Sequence, residues 1–224
     1  MKSIAVLLAD DHVMVRQGLR VLLEAQPDIA IVGEAETGRQ AVQLARTLQP
    51  DVIVMDILMP DLNGVEATRQ IVKEMPHARV LVLSSYSEDE YVDQLTEAGA
   101  SGFVRKQSPA IDLIHAVRET SKGNPFFSPA VSKRMSERCT ESLLNGSLAR
   151  RRSDHLTPRE AEVLQLIAEG RANKQIAFDL SISIKTVEKH RQQVMDKLNI
   201  HDTAGLTRYA IRNGVIETCP SIRL

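Results

Sequence analysis

Five short runs in the first half of the chain are apolar almost throughout: 3–9 (SIAVLLA), 29–35 (IAIVGEA), 51–55 (DVIVM), 79–84 (RVLVLS) and 102–104 (GFV). Runs of this length, bounded by charged or turn-forming residues, read as buried strands. Between them, near 13–25, 37–48, 63–75, 87–98 and 108–121, apolar residues recur at helical spacing. Several of these segments carry start signals. Thr37 with Gln40 and Ser87 with Glu90 fit capping boxes, and Ser108 before Pro109 fits an N-cap followed by proline at the first helical position. Five strands alternating with five helices predict a parallel sheet covered on both faces.

The pattern loosens from about 122 to 155, where Gly, Pro and Ser accumulate and Arg150–Arg152 form a basic triplet. This stretch reads as a linker, with room for one helix near 128–144. From 156 the pattern is helical again. Thr157-Pro158-Arg159-Glu160 combines an N-cap, a proline at N1 and a glutamate at N3. The helix it opens stops at Gly170. Asn173 is placed to cap a short second helix. Ser181-Ile182-Ser183 makes a tight turn, Ser183 caps a third helix over 184–198, and Asp202 starts a fourth over 203–213. The domains expected are 1–122, a linker at 123–155, a helical domain at 156–217 and a tail at 218–224.

Composition narrows the class without naming a function. The chain has 224 residues, 43% hydrophobic and 25% charged, which suits a soluble globular protein. Cys139 and Cys219 are the two cysteines, which argues for a reducing, cytoplasmic setting. No window approaches a membrane span, and the short apolar start lacks a signal-peptide cleavage pattern. The net charge of -1 hides an asymmetry. Residues 1–125 carry twelve Lys/Arg against eighteen Asp/Glu, and residues 126–224 carry sixteen against eleven. An acidic front and a basic back suggest two domains with different partners, the basic one suited to a polyanion.

Candidate chemistry lies at the strand ends. In a flavodoxin-like sheet of order 2-1-3-4-5, ligands bind beyond the carboxyl ends of the strands at the switch point between strands 1 and 3. Asp10 and Asp11 follow strand 1, Asp56 follows strand 3, Ser84 ends strand 4 and Lys106 follows strand 5. Each has a plain reading when taken singly: Asp11 as the N-cap of the helix at 13, Asp56 as a turn acid, Ser84 as a strand-end hydroxyl, Lys106 as a surface lysine. Together they place five polar residues on one rim. Clustered carboxylates suit Mg²⁺. A carboxylate nucleophile can accept a phosphoryl group, with a lysine and a hydroxyl paired to its oxygens.

The stretches LLADDH, VIVMDILMPDLNG, VLVLSS and GASGFVRK resemble the receiver domain of two-component response regulators over residues 3–121. The resemblance implies that Asp56 accepts phosphate from a sensor histidine kinase. It implies that Asp10, Asp11, Asp56 and the backbone carbonyl of Leu58 hold Mg²⁺. Ser84 then matches the switch hydroxyl, Phe103 the switch aromatic and Lys106 the lysine of the site. Gln107 departs from the proline many receivers have there. Leu58 stands where an aspartyl-phosphate phosphatase places its second acid, so enzymatic turnover is not expected.

In the helix 184–198, Ile184, Val187, Val194 and Leu198 share one face, with Lys185, Lys189, Gln192 and Gln193 on the other. Preceded by a short helix and a turn, with the small Ala177 at the crossing, this is a helix-turn-helix pattern. A helix presenting Lys and Gln suits a major groove. Residues 156–216 resemble the LuxR-type four-helix DNA-binding domain, and the whole chain resembles a NarL/FixJ-family response regulator. That resemblance implies base reading by Glu188, Lys189 and Gln192 and phosphate contacts by Lys174, Thr186 and Arg191, with Lys185 on the same exposed face. It implies a dimerisation helix carrying Ala204, Leu206, Ala210 and Ile211, residues that also suit a plain core. The implied partners are a cognate histidine kinase, promoter double-stranded DNA, a second copy of the chain when phosphorylated, and RNA polymerase as a further candidate.

Overall fold

A computed structural model describes residues 3–85, 88–128 and 156–216. The chain divides into two compact units, residues 1–144 and 145–224, each with its own hydrophobic core. The predicted helix near 128–144, the Arg150–Arg152 triplet, the Ser87 cap, both cysteines and the 218–224 tail lie outside the described residues.

The first unit runs β1 (Ile4–Ala9), α1 (Val13–Glu24), β2 (Ile29–Ala35), α2 (Gly38–Leu48), β3 (Val52–Asp56), α3 (Gly64–Glu74), β4 (Val80–Ser84), α4 (Glu88–Ala98), β5 (Gly102–Arg105) and α5 (Ala110–Ser121). Its sheet is parallel in the order β2-β1-β3-β4-β5. Successive strand side chains point to opposite faces, so each apolar run feeds two cores. Leu7, Ala9, Ile53 and Met55 meet one layer of helices, with Ala41 of α2, Ile71 of α3 and Leu95 of α4. Val6, Leu8, Val52 and Val54 meet the other, with Leu23 of α1 and Leu113 and Val117 of α5. This two-sided burial is why the strands read as continuous apolar runs. Each fully buried Leu, Ile or Val contributes about 1.5–3 kcal/mol.

Helix starts follow the sequence signals in part. The Thr37 side chain accepts from the Gln40 amide, but the Gln40 side chain accepts from Glu36 N–H, one residue earlier than a reciprocal box requires. At α5 the helix begins one residue late, with Pro109 at the N-cap position and no side-chain cap. At α1 the N-cap position falls to His12, again without a side-chain cap. Asp11 is therefore not the cap its position suggested.

The stretch after α5 does not leave the unit at 122. Phe126 N–H donates to the Ser101 carbonyl, and the Phe126 carbonyl accepts from Phe103 N–H at 2.7 Å, a parallel bridge against β5. Phe126 packs into the core beneath α5, its ring edge-on to His115. Phe127 packs into the opposite core. Residues expected to open a linker instead strap the edge strand.

The second unit holds α6 (Pro158–Ala168), α7 (Asn173–Asp179), α8 (Ile184–Leu198) and α9 (Thr203–Arg212). Thr157 and Glu160 form the expected reciprocal capping box, and Glu160 also takes Lys197 Nζ of α8 at 2.6 Å. Burial pushes the Glu160 carboxyl up, but Lys197 and the Thr157 contacts outweigh it and hold it below its ordinary value. Ala172, not Asn173, is the N-cap residue of α7, and its N–H donates to the Gln175 side chain. Ser183 and Asp202 cap α8 and α9 as expected. Val163, Leu166, Ile176, Val187, Val194, Leu206 and Ala210 form the core.

Candidate functional site

Strand register builds the acidic site. Ala9 of β1 pairs with Met55 of β3, so Asp10 and Asp56 leave neighbouring strands at the same level. Asp56 in turn pairs with Leu83, which puts Ser84, the last residue of β4, on the same rim. The loop after β3 folds back over this rim. Gly64 N–H donates to the Ile57 carbonyl, and a Cβ on Gly64 would sit 1.8 Å from the Asp56 carbonyl oxygen. Only glycine permits that approach. Asn63 then caps α3 by accepting from the Glu66 amide.

The charged groups are held closely. Asp56 is 5% exposed and Asp10 1%. Lys106 Nζ lies 2.8 Å from Asp56 Oδ2 and 2.7 Å from Asp10 Oδ2. The other Asp56 oxygen accepts from Ile57 N–H, and the other Asp10 oxygen from His12 N–H. Burial, with Asp10 adding to it, pushes the Asp56 carboxyl up to about 6 against the opposing pull of Lys106. Burial lowers the Lys106 ammonium, but Asp56 and Asp10 outweigh it and raise its value overall.

Ligand atoms of Asp10, Asp11, His12 and Asp56 all lie within 4.8 Å of one another. Asp10 Oδ2 and Asp11 Oδ1 are buried and lack a directed hydrogen bond, although Lys106 touches the first and His12 Nδ1 lies 2.8 Å from the second. Three carboxylates face one ammonium. Excess negative charge and under-coordinated oxygens fit a hard divalent cation. His12 was not singled out from the sequence; its place directly after the acidic pair was the available signal.

Other rim residues fall as follows. Leu58 lies two residues past Asp56, its side chain packed against the core. Ser84 is buried and its carbonyl accepts from Lys106 N–H. Phe103 is turned into the core, 5% exposed. No cis peptide occurs among the described residues, so the Lys106–Gln107 peptide is trans. Gln107 donates to the Ser85 carbonyl.

In the second unit, Lys174, Lys185, Glu188, Lys189 and Gln192 are exposed, with Thr186 and Arg191 half-buried. Thr186 shares a hydrogen bond with Ser183, Gln192 donates to Asp196, and Arg191 reaches Asn173 and Thr203. Ile184 departs from the expected apolar face and is 45% exposed. Leu206 and Ala210, expected at a dimer face, are fully buried in their own domain's core. They are packing residues here, which leaves Ala204, exposed, and Ile211, half-buried.

Known proteins match this architecture throughout. The family described as response regulator receiver domain matches residues 6–118. The family described as bacterial regulatory proteins, luxR family, matches residues 154–210. The transcriptional regulatory protein LiaR of Bacillus subtilis is 43% identical over 95% of this chain and 99% of its own length. The response regulator protein VraR of Staphylococcus aureus is 40% identical over 96% of this chain and all of its own. Among solved structures, the response regulator ChrA of a heme-sensing two-component system covers 96% of this chain and 100% of its own, at 32% identity and a TM-score of 0.51. RcsB of Salmonella enterica serovar Typhimurium, bound to the promoter rprA with phosphomimetic BeF3-, covers 93% of this chain and 98% of its own, at 28% identity and a TM-score of 0.56. The chain therefore belongs to the NarL/LuxR family of two-component response regulators, signalling proteins in which a receiver domain precedes a LuxR-type helix-turn-helix domain.

Proposed function

We propose that this protein is a phosphorylation-switched transcription factor in which Asp56 accepts a phosphoryl group from a sensor histidine kinase. The observation that carries this reading is the convergence of Asp10, Asp11 and Asp56 on one rim with Lys106 across it. Asp10, Asp11, Asp56 and the Leu58 carbonyl are the residues that would hold Mg²⁺, which supplies neutralisation of phosphoryl oxygens when bound.

The chain's own residues do the rest. Asp56 presents one oxygen toward Lys106 while Ile57 N–H fixes the other. The Asp56 oxygen forms a bond to phosphorus as the phosphorus–nitrogen bond of the kinase phosphohistidine breaks, and the histidine nitrogen keeps the electron pair. Lys106 pairs with a phosphoryl oxygen, and Ser84 donates to another. With its value raised to about 6, Asp56 is largely ionised at neutral pH and competent as a nucleophile.

Phosphate adds roughly -1.5 to -2 of charge, by analogy with other phosphorylated side chains. The switch stabilises one of two pre-existing arrangements, favouring a dimer that presents α8 to promoter DNA. Glu188, Lys189 and Gln192 read bases, Lys174, Thr186 and Arg191 contact phosphates, and Lys185 lies on the same exposed face. Ala204 and Ile211 are the part of α9 open to a second copy. The RcsB complex, solved on a promoter with a phosphomimetic, supports the coupling of the two events.

The test is selection and titration of DNA with and without a small phosphodonor plus Mg²⁺. Tighter binding with the donor is expected. Equal affinity removes the switch and leaves DNA binding standing.

A further inference from the structure

One buried charge has no place in the chemistry above. Arg16 sits on α1, and its side chain is 8% exposed. Basic residues are almost never buried without partners, and its contacts converge on a single place. Nη1 donates to the Asp10 carbonyl at 2.7 Å, Nε to Glu34 Oε2 at 3.0 Å, and Nη2 to Glu36 Oε1 at 2.6 Å. Glu34 lies in β2 and Glu36 just past its end. One guanidinium thus joins the first turn and a half of α1, the exit of β2 and the main chain of the first acid of the cluster.

Arg16 supplies one of four contacts to Asp10. Its N–H donates to the Ala35 carbonyl, its Oδ1 accepts from His12 N–H, its Oδ2 meets Lys106, and its carbonyl accepts from Arg16. The planar guanidinium suits this job, because it offers several donors in a fixed fork, where an ammonium is a point charge. Groups that hydrogen-bond a ligand's own support fix its orientation, and their loss typically weakens metal binding about 10–100-fold.

We infer that Arg16 is a positioning residue for the divalent-cation site, holding the Asp10 main chain so that its carboxylate stays aimed into the cluster. This rests on the reading of the acidic rim as a Mg²⁺ site.

The experiment is calorimetric titration of Mg²⁺ into the full-length protein, alongside the Mg²⁺ dependence of phosphorylation by a small phosphodonor. Arg16→Gln is expected to weaken Mg²⁺ binding about tenfold and to raise the half-saturating Mg²⁺ concentration while the rate at saturating Mg²⁺ is largely kept. Arg16→Lys, which retains a donor for the Asp10 carbonyl, is expected to recover part of that loss. Should Arg16→Gln not fold, Glu36→Gln decides. It alters an exposed acceptor of the clamp and is expected to weaken Mg²⁺ about twofold to threefold, a small fraction of the typical effect. Unchanged Mg²⁺ affinity in the folded variant overturns the assignment, even where its melting temperature falls. Absence of Mg²⁺ binding by the unaltered protein removes the metal-site reading instead, so the two failures are distinct.

Discussion

The two units handle charge in opposite ways. In the receiver unit, Asp10, Asp56 and Lys106 are packed into the end of a sheet, each touching at least one of the others. In the helix-turn-helix unit, Lys185, Glu188 and Lys189 stand in solvent on α8. Crowded like charges in a buried site cost stability and couple tightly, so the function there belongs to a cluster rather than to single residues. Exposed charges on a helix cost little and act nearly independently. The receiver site should therefore respond to substitution in an all-or-none way, and the DNA face by increments.

The largest expected effect is at Asp56. Asp56→Asn abolishes phosphorylation by a small phosphodonor, scored by intact-protein mass spectrometry. The sign for stability is the opposite of the sign for function. The folded state raises the Asp56 value from 3.8 to about 6, so it binds more protons than the unfolded chain between those values, and stability falls as pH rises through that window. Above it the ionised carboxylate is a standing cost. In the absence of divalent cations, Asp56→Asn should then gain about 1–3 kcal/mol at neutral pH, by denaturant titration. The phosphorylation rate of the unaltered protein should climb with pH around 6 and level off above 7.

Next comes Lys106→Met, which leaves Asp10 and Asp56 buried without their shared cation. Breaking such a contact typically costs 3–5 kcal/mol. Urea titration without Mg²⁺ should show the loss, and added Mg²⁺ should restore part of it. Gly64→Ala tests the backbone instead of the charges. Its methyl would need the space of the Asp56 carbonyl oxygen, and overpacking of this kind costs about 1–3 kcal/mol or more. A variant as stable as the parent would show that the loop is not clamped on Asp56.

The DNA face gives the smallest steps. Lys189→Ala should lose about 1–3 kcal/mol of discrimination at one base position, read by competition binding, with phosphorylation unaffected. Lys174→Ala should weaken all sequences alike and lower the salt slope by about one. Loss of phosphorylation in either variant would break the contrast between the units.

Much of this was legible in the chain because it depends on period and strand order. The apolar runs place β1 to β5 within a residue or so at each end, and strand order alone brings Asp10 beside Asp56. Finer points depend on tertiary contact. Asp11 looks like a cap until the N-cap position falls on His12. Arg16 gives no local signal at all, because its carboxylate partners lie eighteen and twenty positions away. The resemblance assigns Leu206 and Ala210 to an interface, and their period cannot correct it, because an amphipathic helix has the same period whether its apolar face meets its own core or a second copy. Burial distinguishes these cases, and burial is not written in a local pattern.

The strap at Phe126 has a consequence for dissecting the protein. β5 is one of the two edge strands of the sheet, and an open strand edge is a template for another chain. A fragment cut at Lys122 would end with the last helix and leave the Ser101 carbonyl and Phe103 amide without their Phe126 partners. It would also remove two aromatic plugs, one from each core. Such a fragment is set up to pair edge to edge through the uncovered strand. A fragment ending at Ser128 keeps its edge closed, and self-association measured on it reports on the receiver rather than on the cut.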